Sequence, residues 1–279
     1  MPELPEVEAL ARWLRPQLVG QRIEALEIHR PLVFRSLLTD VEPAEVLAGR
    51  TVQDVTRRAK YLLISFEDDL WLAVHFMLTG NLEPCEANAR GRGGRVRVRD
   101  YYRLSFSNGL TLRYHDLRGM GKTYLTDDLA QVPGMTDLGP DALDSALTLE
   151  RFLERLGPYR GEIKGVLTRE RAVAGIGNAY ADEILFAAGI YPFRKRTQLS
   201  PQELENLYTA MRQVLEERLA VAMESLPRTH NMHHREGLQV HGRPGEPCPR
   251  CGAPISEIKV ARRPTHFCRQ CQPGLLLRN

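Results

Sequence analysis

The chain has 279 residues, of which 43% are hydrophobic and 26% charged, with a formal net charge of +3. That length allows two domains, each with a core of its own. No apolar run reaches bilayer length and no secretory leader is evident, which excludes a membrane-spanning role and points to the cytoplasm. The modest net charge conceals segregation. Arg90, Arg92, Arg95, Arg97, Arg99 and Arg103 form one basic cluster, Arg262, Arg263 and Arg269 decorate a C-terminal cysteine loop, and acids gather in 128–154 and 202–217. Segregated basic patches suit a phosphate backbone; a solvated arginine-rich loop is the ordinary alternative, and both readings stay open here.

Met1 is followed by Pro2-Glu3-Leu4-Pro5-Glu6. Removal of Met1 leaves a secondary amine beside a carboxylate. An α-amino group has a reference pKa of about 7.7–8.0, so such an amine is a ready nucleophile for an aldehyde-like carbon, giving an iminium. The plainer reading is that Pro2 and Pro5 stiffen the approach to a helix. That helix is expected over Glu3 to Val19, with Val7, Leu10, Trp13, Leu14 and Leu18 at helical spacing.

From Arg22 to about Leu125 short β-runs alternate with turns. Val52–Val55, Tyr61–Phe66 and Leu70–His75 read as strands. Arg95–Phe106 and Leu110–Tyr114 read as a hairpin closed by Ser107-Asn108-Gly109, since Asn-Gly favours the mirror-type turn. A β-sandwich is the expected outcome. Pro133, Gly139 and Pro140 mark 126–148 as connecting chain. Helices follow at Leu149–Leu156, Glu162–Thr168, Ala179–Ala188 and Pro201–Ala222, the last behind the cap Ser200. Between them, Gly175-Ile176-Gly177-Asn178 permits close backbone approach and leaves helix-start N–H groups facing outward, an arrangement suited to a phosphate. It is not a dinucleotide fingerprint, because a third glycine and a parallel sheet are missing.

Cys248, Cys251, Cys268 and Cys271 stand as C-x2-C, sixteen intervening residues, C-x2-C. The spacing suits two thiolate knuckles closing one tetrahedral zinc site across a hairpin. Four of the five cysteines fall within these 24 residues, which argues against a disulfide framework. The expected cofactor is therefore one structural Zn2+. His266 lies off the pattern and reads as a surface or packing residue, and Cys85 as a bland thiol. The fold class is α+β, organised as an N-terminal β-sandwich domain over 1–130, a linker over 131–148, a helical domain over 149–237 and a four-cysteine finger over 238–279.

Pro2-Glu3-Leu4-Pro5-Glu6-Val7-Glu8, the Gly175–Tyr180 element with Ala181-Asp182-Glu183, and the cysteine finger occur in that order. Together they closely resemble the formamidopyrimidine-DNA glycosylase / endonuclease VIII family of base-excision repair enzymes, over nearly the whole chain. The resemblance implies a β-sandwich flanked by helices, a helix–two-turn–helix module and a zinc finger, with damaged double-stranded DNA as partner and a monomer as the default. It implies that Pro2 attacks C1′ and displaces the base, that Glu3 is the acid/base group, and that Glu6 orients the terminus. It further implies that Lys60 contacts DNA and assists elimination, that Lys164 and Asn178 contact phosphates, and that Arg263 grips the phosphates flanking the lesion. Lys60 taken alone is a solvated strand-end charge.

Leu78, Arg118 and Met120 stand where the family fills the hole left by an extruded base, with Leu for Met and Met for Phe; by residue type alone Leu78 and Met120 read as core. Arg99, in the basic cluster, is a further expected DNA contact. The interval Ser225–Gly237 lacks the family's lesion-capping loop pattern, which puts 8-oxoguanine preference against oxidised pyrimidines, and leaves His230, His233 and His234 as candidate base or phosphate contacts. Catalysis followed by β- and δ-elimination, or damage binding with weak chemistry, are the competing outcomes.

Overall fold

The computed structural model describes residues 1–85, 100–233, 236–260 and 263–274. The cluster from Arg90 to Arg99, together with Arg262 and His234, lies outside the described residues. The chain divides into two compact units, Met1–Thr136 with Leu219–His234, and Asp137–Arg218 with Arg235–Asn279.

In the first unit, α1 (Leu4–Leu18) buries Leu4, Val7, Leu10, Leu14 and Leu18 at intervals of three and four, the stripe that helical periodicity demands. Nine strands follow. β1 (Ile23–Ile28), β6 (Gly80–Cys85), β7 (Asp100–Phe106) and β8 (Thr111–Asp116) form one antiparallel sheet in the order β1-β7-β8-β6. β2 (Phe34–Ser36), β3 (Val52–Arg58), β4 (Tyr61–Phe66), β5 (Trp71–His75) and β9 (Lys122–Thr126) form the other, ordered β2-β9-β5-β4-β3, in which only β2 and β9 run parallel. Tyr102 of β7 meets Thr123 of β9 hydroxyl to hydroxyl at 3.0 Å, and Tyr102 stacks on Tyr114 at 5.0 Å. These rings fill the space between the sheets. Helix α1 packs on β3 and β4, and α2 (Pro43–Leu47) on β1.

The β7–β8 hairpin differs from the expected turn. Only Gly109 of its loop takes a positive φ, +82°, and the Gly109 N–H donates to the Phe106 carbonyl at 2.9 Å. A mirror-type turn needs positive φ at Asn108 as well; a three-residue loop with glycine in the left-handed position satisfies strand twist instead. Asn108 then anchors the loop, its Nδ2 donating to the Gln17 carbonyl at 2.8 Å. Arg103 also departs from the exposed basic cluster. It is buried and pairs with Asp100 at 3.4 Å, because its register places it opposite Arg113 on a covered strand face.

The second unit contains α3 (Leu149–Leu156), α4 (Ile163–Leu167), α5 (Asn178–Ala188) and the finger hairpin β10 (Ser256–Val260) with β11 (Arg263–Phe267). Helix α6 runs from Pro201 to Thr229, its first residues counting with this unit and those from Leu219 with the other. Ser200 caps it as expected, in a box where the Glu203 N–H donates to Ser200 Oγ at 3.2 Å and the Ser200 N–H to Glu203 at 2.8 Å. The helix outruns its expected end at Ala222, so Ser225–Thr229 are helical and not part of a loop. Pro227 is tolerated because it falls in the last turns, where little helix remains to be interrupted. The described residues contain no helix long and apolar enough to cross a membrane.

Candidate active site and metal centre

Pro2 and Glu3 are buried at the start of α1. Glu3 is the N-cap, and its N–H donates to Glu6 Oε2 at 2.8 Å in a capping box that uses both carboxylates. The two acids therefore hold the chain end where the helix macrodipole is positive, which favours carboxylates over cations. Glu6 thereby ties the Glu3 backbone to the first turn of α1.

Lys60 sits in the two-residue turn between β3 and β4, where Arg58 pairs with Tyr61. Ala59 takes a φ of +52° there, a conformation that a side-chain-bearing residue adopts at some cost. Lys60 is buried, not the solvated charge that its strand-end position suggests. Arg57 ties this turn to α1: its Nε donates to Glu8 at 2.7 Å and its Nη1 to the Ala59 carbonyl at 2.9 Å. So Lys60 and the Pro2–Glu3 end belong to one braced assembly. His75 flanks it; burial first, and the Lys60 charge second, lower its pKa to about 4. The imidazole is neutral at ordinary pH, and its Nδ1 accepts the Met77 N–H at 3.1 Å.

That bond starts a second feature. Met77 has φ +49°, and the loop throws Leu78 outward. A matching loop over 117–121 exposes Leu117, Arg118 and Met120. Leu78 and Met120 are thus not core residues. Asp116, fully buried, holds both loops. Its Oδ1 accepts the Thr79 hydroxyl and the Arg118 N–H (3.0 Å), and its Oδ2 the Gly121 N–H (2.7 Å). Burial pushes the Asp116 carboxyl up, but the Thr79 hydroxyl and the backbone N–H groups override it and hold it below the usual range. Gly80 and Gly121 are required by close approach, since a Cβ would lie 2.2 and 1.7 Å from Tyr114 Oη.

In the second unit, Asn178 opens α5 behind Gly177, which has no side chain to cap with. The expectation of outward-facing N–H groups is not met: Gly175–Gly177 and Ala179 are buried and only Asn178 is half-exposed. Asn178 Nδ2 donates to the Pro264 carbonyl at 2.9 Å. Lys164 Nζ donates to the same carbonyl at 3.0 Å, to Thr265 Oγ1 at 2.8 Å, and pairs with Asp182 at 2.7 Å. Its ammonium therefore faces three protein acceptors and braces the first residues of β11. Arg263, adjacent to Pro264, is exposed at the start of β11.

Asp182 and Glu183, motif residues with no role assigned by their sequence, both make structural contacts. Asp182 accepts from His241 Nδ1 (2.7 Å) and the His266 N–H (3.2 Å). Burial opposes its ionisation, but His241, His266 and Lys164 hold it below the usual range. Glu183 accepts three consecutive N–H groups, from Gln239, Val240 and His241, at 2.7–2.9 Å. Two adjacent carboxylates on one helix thus anchor two stretches of the finger. His266 is buried, which selects the packing alternative over the surface one.

The four cysteine sulfurs lie within 4.8 Å of one another, with Cys248–Cys271 at 3.8 Å and Cys251–Cys268 at 3.4 Å. A tetrahedral zinc with Zn–S of about 2.3 Å spaces thiolates by about 3.8 Å, so the cage fits this ion, and four protein ligands leave no open position. Phe186, Val240 and Ile255 pack around Cys248 and Cys268. Among the described residues, neither His230 nor His233 belongs to a cluster of metal-ligating side chains. His230 packs on Trp13 at 5.3 Å and gives its carbonyl to Asn81, and His233 Nε2 meets the Gly80 carbonyl at 3.0 Å.

Three family models match in register. They are the formamidopyrimidine-DNA glycosylase N-terminal domain over residues 1–123, the formamidopyrimidine-DNA glycosylase H2TH domain over 138–229, and the zinc finger found in FPG and IleRS over 245–274. The formamidopyrimidine-DNA glycosylase of Moorella thermoacetica is 40% identical over 267 residues, covering 93% of this chain and 95% of the relative. That of Chloroflexus aurantiacus is 37% identical over 282 residues, covering 98% of each. Among solved structures, the Lactococcus lactis enzyme bound to DNA containing N7-benzyl-Fapy-dG superposes with a TM-score of 0.86 at 32% identity, covering 98% of this chain and 100% of that one. A MutM complex with DNA containing carbocyclic 8-oxo-G gives 0.83 at 33% identity, with the same coverage. With the β-sandwich, the helical module and the four-cysteine cage all in place, this chain belongs to the formamidopyrimidine-DNA glycosylase family.

Proposed function

We propose that this chain is a base-excision repair glycosylase that removes formamidopyrimidines and 8-oxoguanine from double-stranded DNA, and an AP lyase that then cuts the strand. After removal of Met1, the Pro2 nitrogen attacks C1′, the glycosidic bond breaks, and the base leaves with its bonding electron pair and gains a proton. A free amine at the positive end of α1 is favoured in its neutral, nucleophilic form. Glu3 assists opening of the sugar ring. The resulting iminium acidifies the 2′ proton; its loss expels the 3′ phosphate, and a second elimination expels the 5′ phosphate. Lys60 contacts the DNA and assists these eliminations. Water then adds to the remaining iminium carbon, a proton is released, and the C–N bond breaks to free Pro2.

A base inside a duplex must be turned out first, at a cost of a few kcal/mol. Arg263 and Asn178 grip the backbone, with Lys164 bracing the strand that carries Arg263. Leu78, Arg118 and Met120 fill the vacated step. Zinc holds the finger hairpin and enters no step. The observation that carries this reading is the buried Pro2–Glu3 end, locked by Glu6 and joined through Glu8 and Arg57 to the Lys60 turn.

The test is borohydride trapping on labelled duplexes carrying 8-oxoguanine, formamidopyrimidine, thymine glycol or an abasic site. A covalent adduct and strand cleavage on the purine lesions, both lost in Pro2→Gly, are expected. Faster reaction on thymine glycol would move the substrate class to oxidised pyrimidines. Absence of any adduct from protein shown to lack Met1 would leave a damage-binding protein.

A further inference from the structure

Eight large hydrophobic side chains are exposed among the described residues, and Leu32, Leu78, Leu117 and Met120 are four of them. Leu117 is 56% exposed and Leu32 60%. The backbone segments that carry them are adjacent. The Arg118 N–H reaches Thr79 Oγ1 at 3.1 Å, which puts the Leu78 loop against the Leu117–Met120 loop. A Cβ built on Gly119 would lie 3.0 Å from Leu32 Cδ2, so the β1–β2 loop abuts the same place. Backbone bonds fix that loop, with the His29 and Arg30 N–H groups donating to the Tyr101 carbonyl at 2.8 and 3.1 Å.

The exposed charge within these loops is basic, and the Asp116 carboxylate that holds two of them is buried. Residues 29–39 include Arg30 and Arg35 and no acid, and residues 117–125 include Arg118 and Lys122 and no acid. Arg30, Arg35 and Arg118 are exposed. An apolar wedge rimmed by arginine is the chemistry of side chains that enter a base step from the minor groove while cations hold the phosphates. Met120 lacks a flat ring, and two further leucines supply apolar area beside it.

We infer that Leu32 and Leu117 are additional DNA-contacting residues of this chain, packing with Leu78 and Met120 into the duplex at the opened step and setting how strongly damaged DNA is preferred over intact DNA. The inference rests on the glycosylase reading above. It makes the patch a contact for nucleic acid and not for a second copy of the chain.

The experiment measures binding of Leu32→Ser, Leu117→Ser and the double variant to duplexes with and without a tetrahydrofuran abasic analogue, with 2-aminopurine beside the analogue. Each single change is expected to weaken analogue-duplex binding by on the order of tenfold, the loss expected when a buried leucine is returned to water. Intact-duplex binding and melting temperature stay as in the unaltered protein, the 2-aminopurine signal falls, and Leu117→Met restores both binding and signal. Unchanged preference in both serine variants, while the unaltered protein prefers the analogue, overturns this inference alone. An unaltered protein without that preference overturns the glycosylase reading, and this inference with it. Self-association in sedimentation that the double variant loses would reassign the patch and likewise overturn it.

Discussion

Lys164 and Asp182 form a buried ion pair, 2.7 Å from Nζ to Oδ1. The pair joins α4 to α5, and through the carbonyl of Pro264 and the hydroxyl of Thr265 it fixes the strand beginning at Arg263. Removing one partner strands a buried charge, so Lys164→Met should destabilise by about 3–5 kcal/mol in denaturant unfolding. Its signature on DNA differs from that of Arg263→Gln. Loss of a direct phosphate contact lowers the slope of log K against log salt by about one; Arg263→Gln should do this and Lys164→Met should not. Equal slope changes would return Lys164 to the phosphate.

Asp116 is the single carboxylate on which both exposed loops hang. Asp116→Asn replaces an acceptor oxygen with a donor and leaves a buried partner unmatched, at about 1–3 kcal/mol. Thermal melting should show that loss, and preference for abasic-analogue duplexes should fall with it. A variant that melts lower yet keeps full preference would show that the loops hold their shape without the carboxylate.

Acid stability should fall in two stages. His75 has a folded pKa of about 4 against an ordinary 6.5, so the unfolded chain binds a proton that the folded chain refuses. Its contribution is complete above pH 6.5 and is lost as pH falls towards 4, up to about 3 kcal/mol. Glu83 follows. Burial alone raises its carboxyl, but hydrogen bonds and charge from His115 and Arg113 bring it to about 2. Its contribution is present above pH 4.5 and is lost towards pH 2. Melting temperature against pH should show both slopes, with His75→Gln flattening the first and Glu83→Gln the second.

Chelation should release one zinc per chain, read with a chromogenic chelator. The β10–β11 hairpin then loses its fixed base, and DNA affinity falls with Arg263. The first unit, which contains no cysteine ligand, should keep its strand content by circular dichroism. Cys268→Ser should reproduce the effect without a chelator.

Gly121→Ala places a methyl group 1.7 Å from the Tyr114 hydroxyl. Overpacking of this kind costs about 1–3 kcal/mol. In a Tyr114→Phe background the hydroxyl contact is gone and only the ring carbon Cζ remains close, at 2.9 Å, so the same substitution should cost less; additive losses would place the strain elsewhere.

Much of the chain was legible because its signals are local. The α1 stripe, Tyr61–Phe66 and Leu149–Leu156 repeat at the period of their own element, Ser200 is a cap by residue type, and each cysteine knuckle carries its ligand spacing in four residues. The helix beyond Ala222 was not, because Pro227 is a breaker in sequence and harmless only near a helix end. Nor was the burial of Lys60 and Arg103, since a charged residue next to an apolar run gives no sign of which partner will neutralise it. Leu78 and Met120 read as core by type and emerged exposed, because nothing beside them in the chain signals that the Asp116 carboxylate will hold both of their loops.

The sequence by itself determined the α+β class, the zinc ligands and the proline–glutamate start of α1, all set by periodicity, spacing or residue chemistry over short stretches. Only the tertiary structure decided that Lys164 braces the finger, that Asp116 gathers two loops, and that Leu32 stands beside Gly119. Such pairings join residues far apart along the chain, and hydrogen-bond geometry and desolvation act on distances in space that no local pattern encodes.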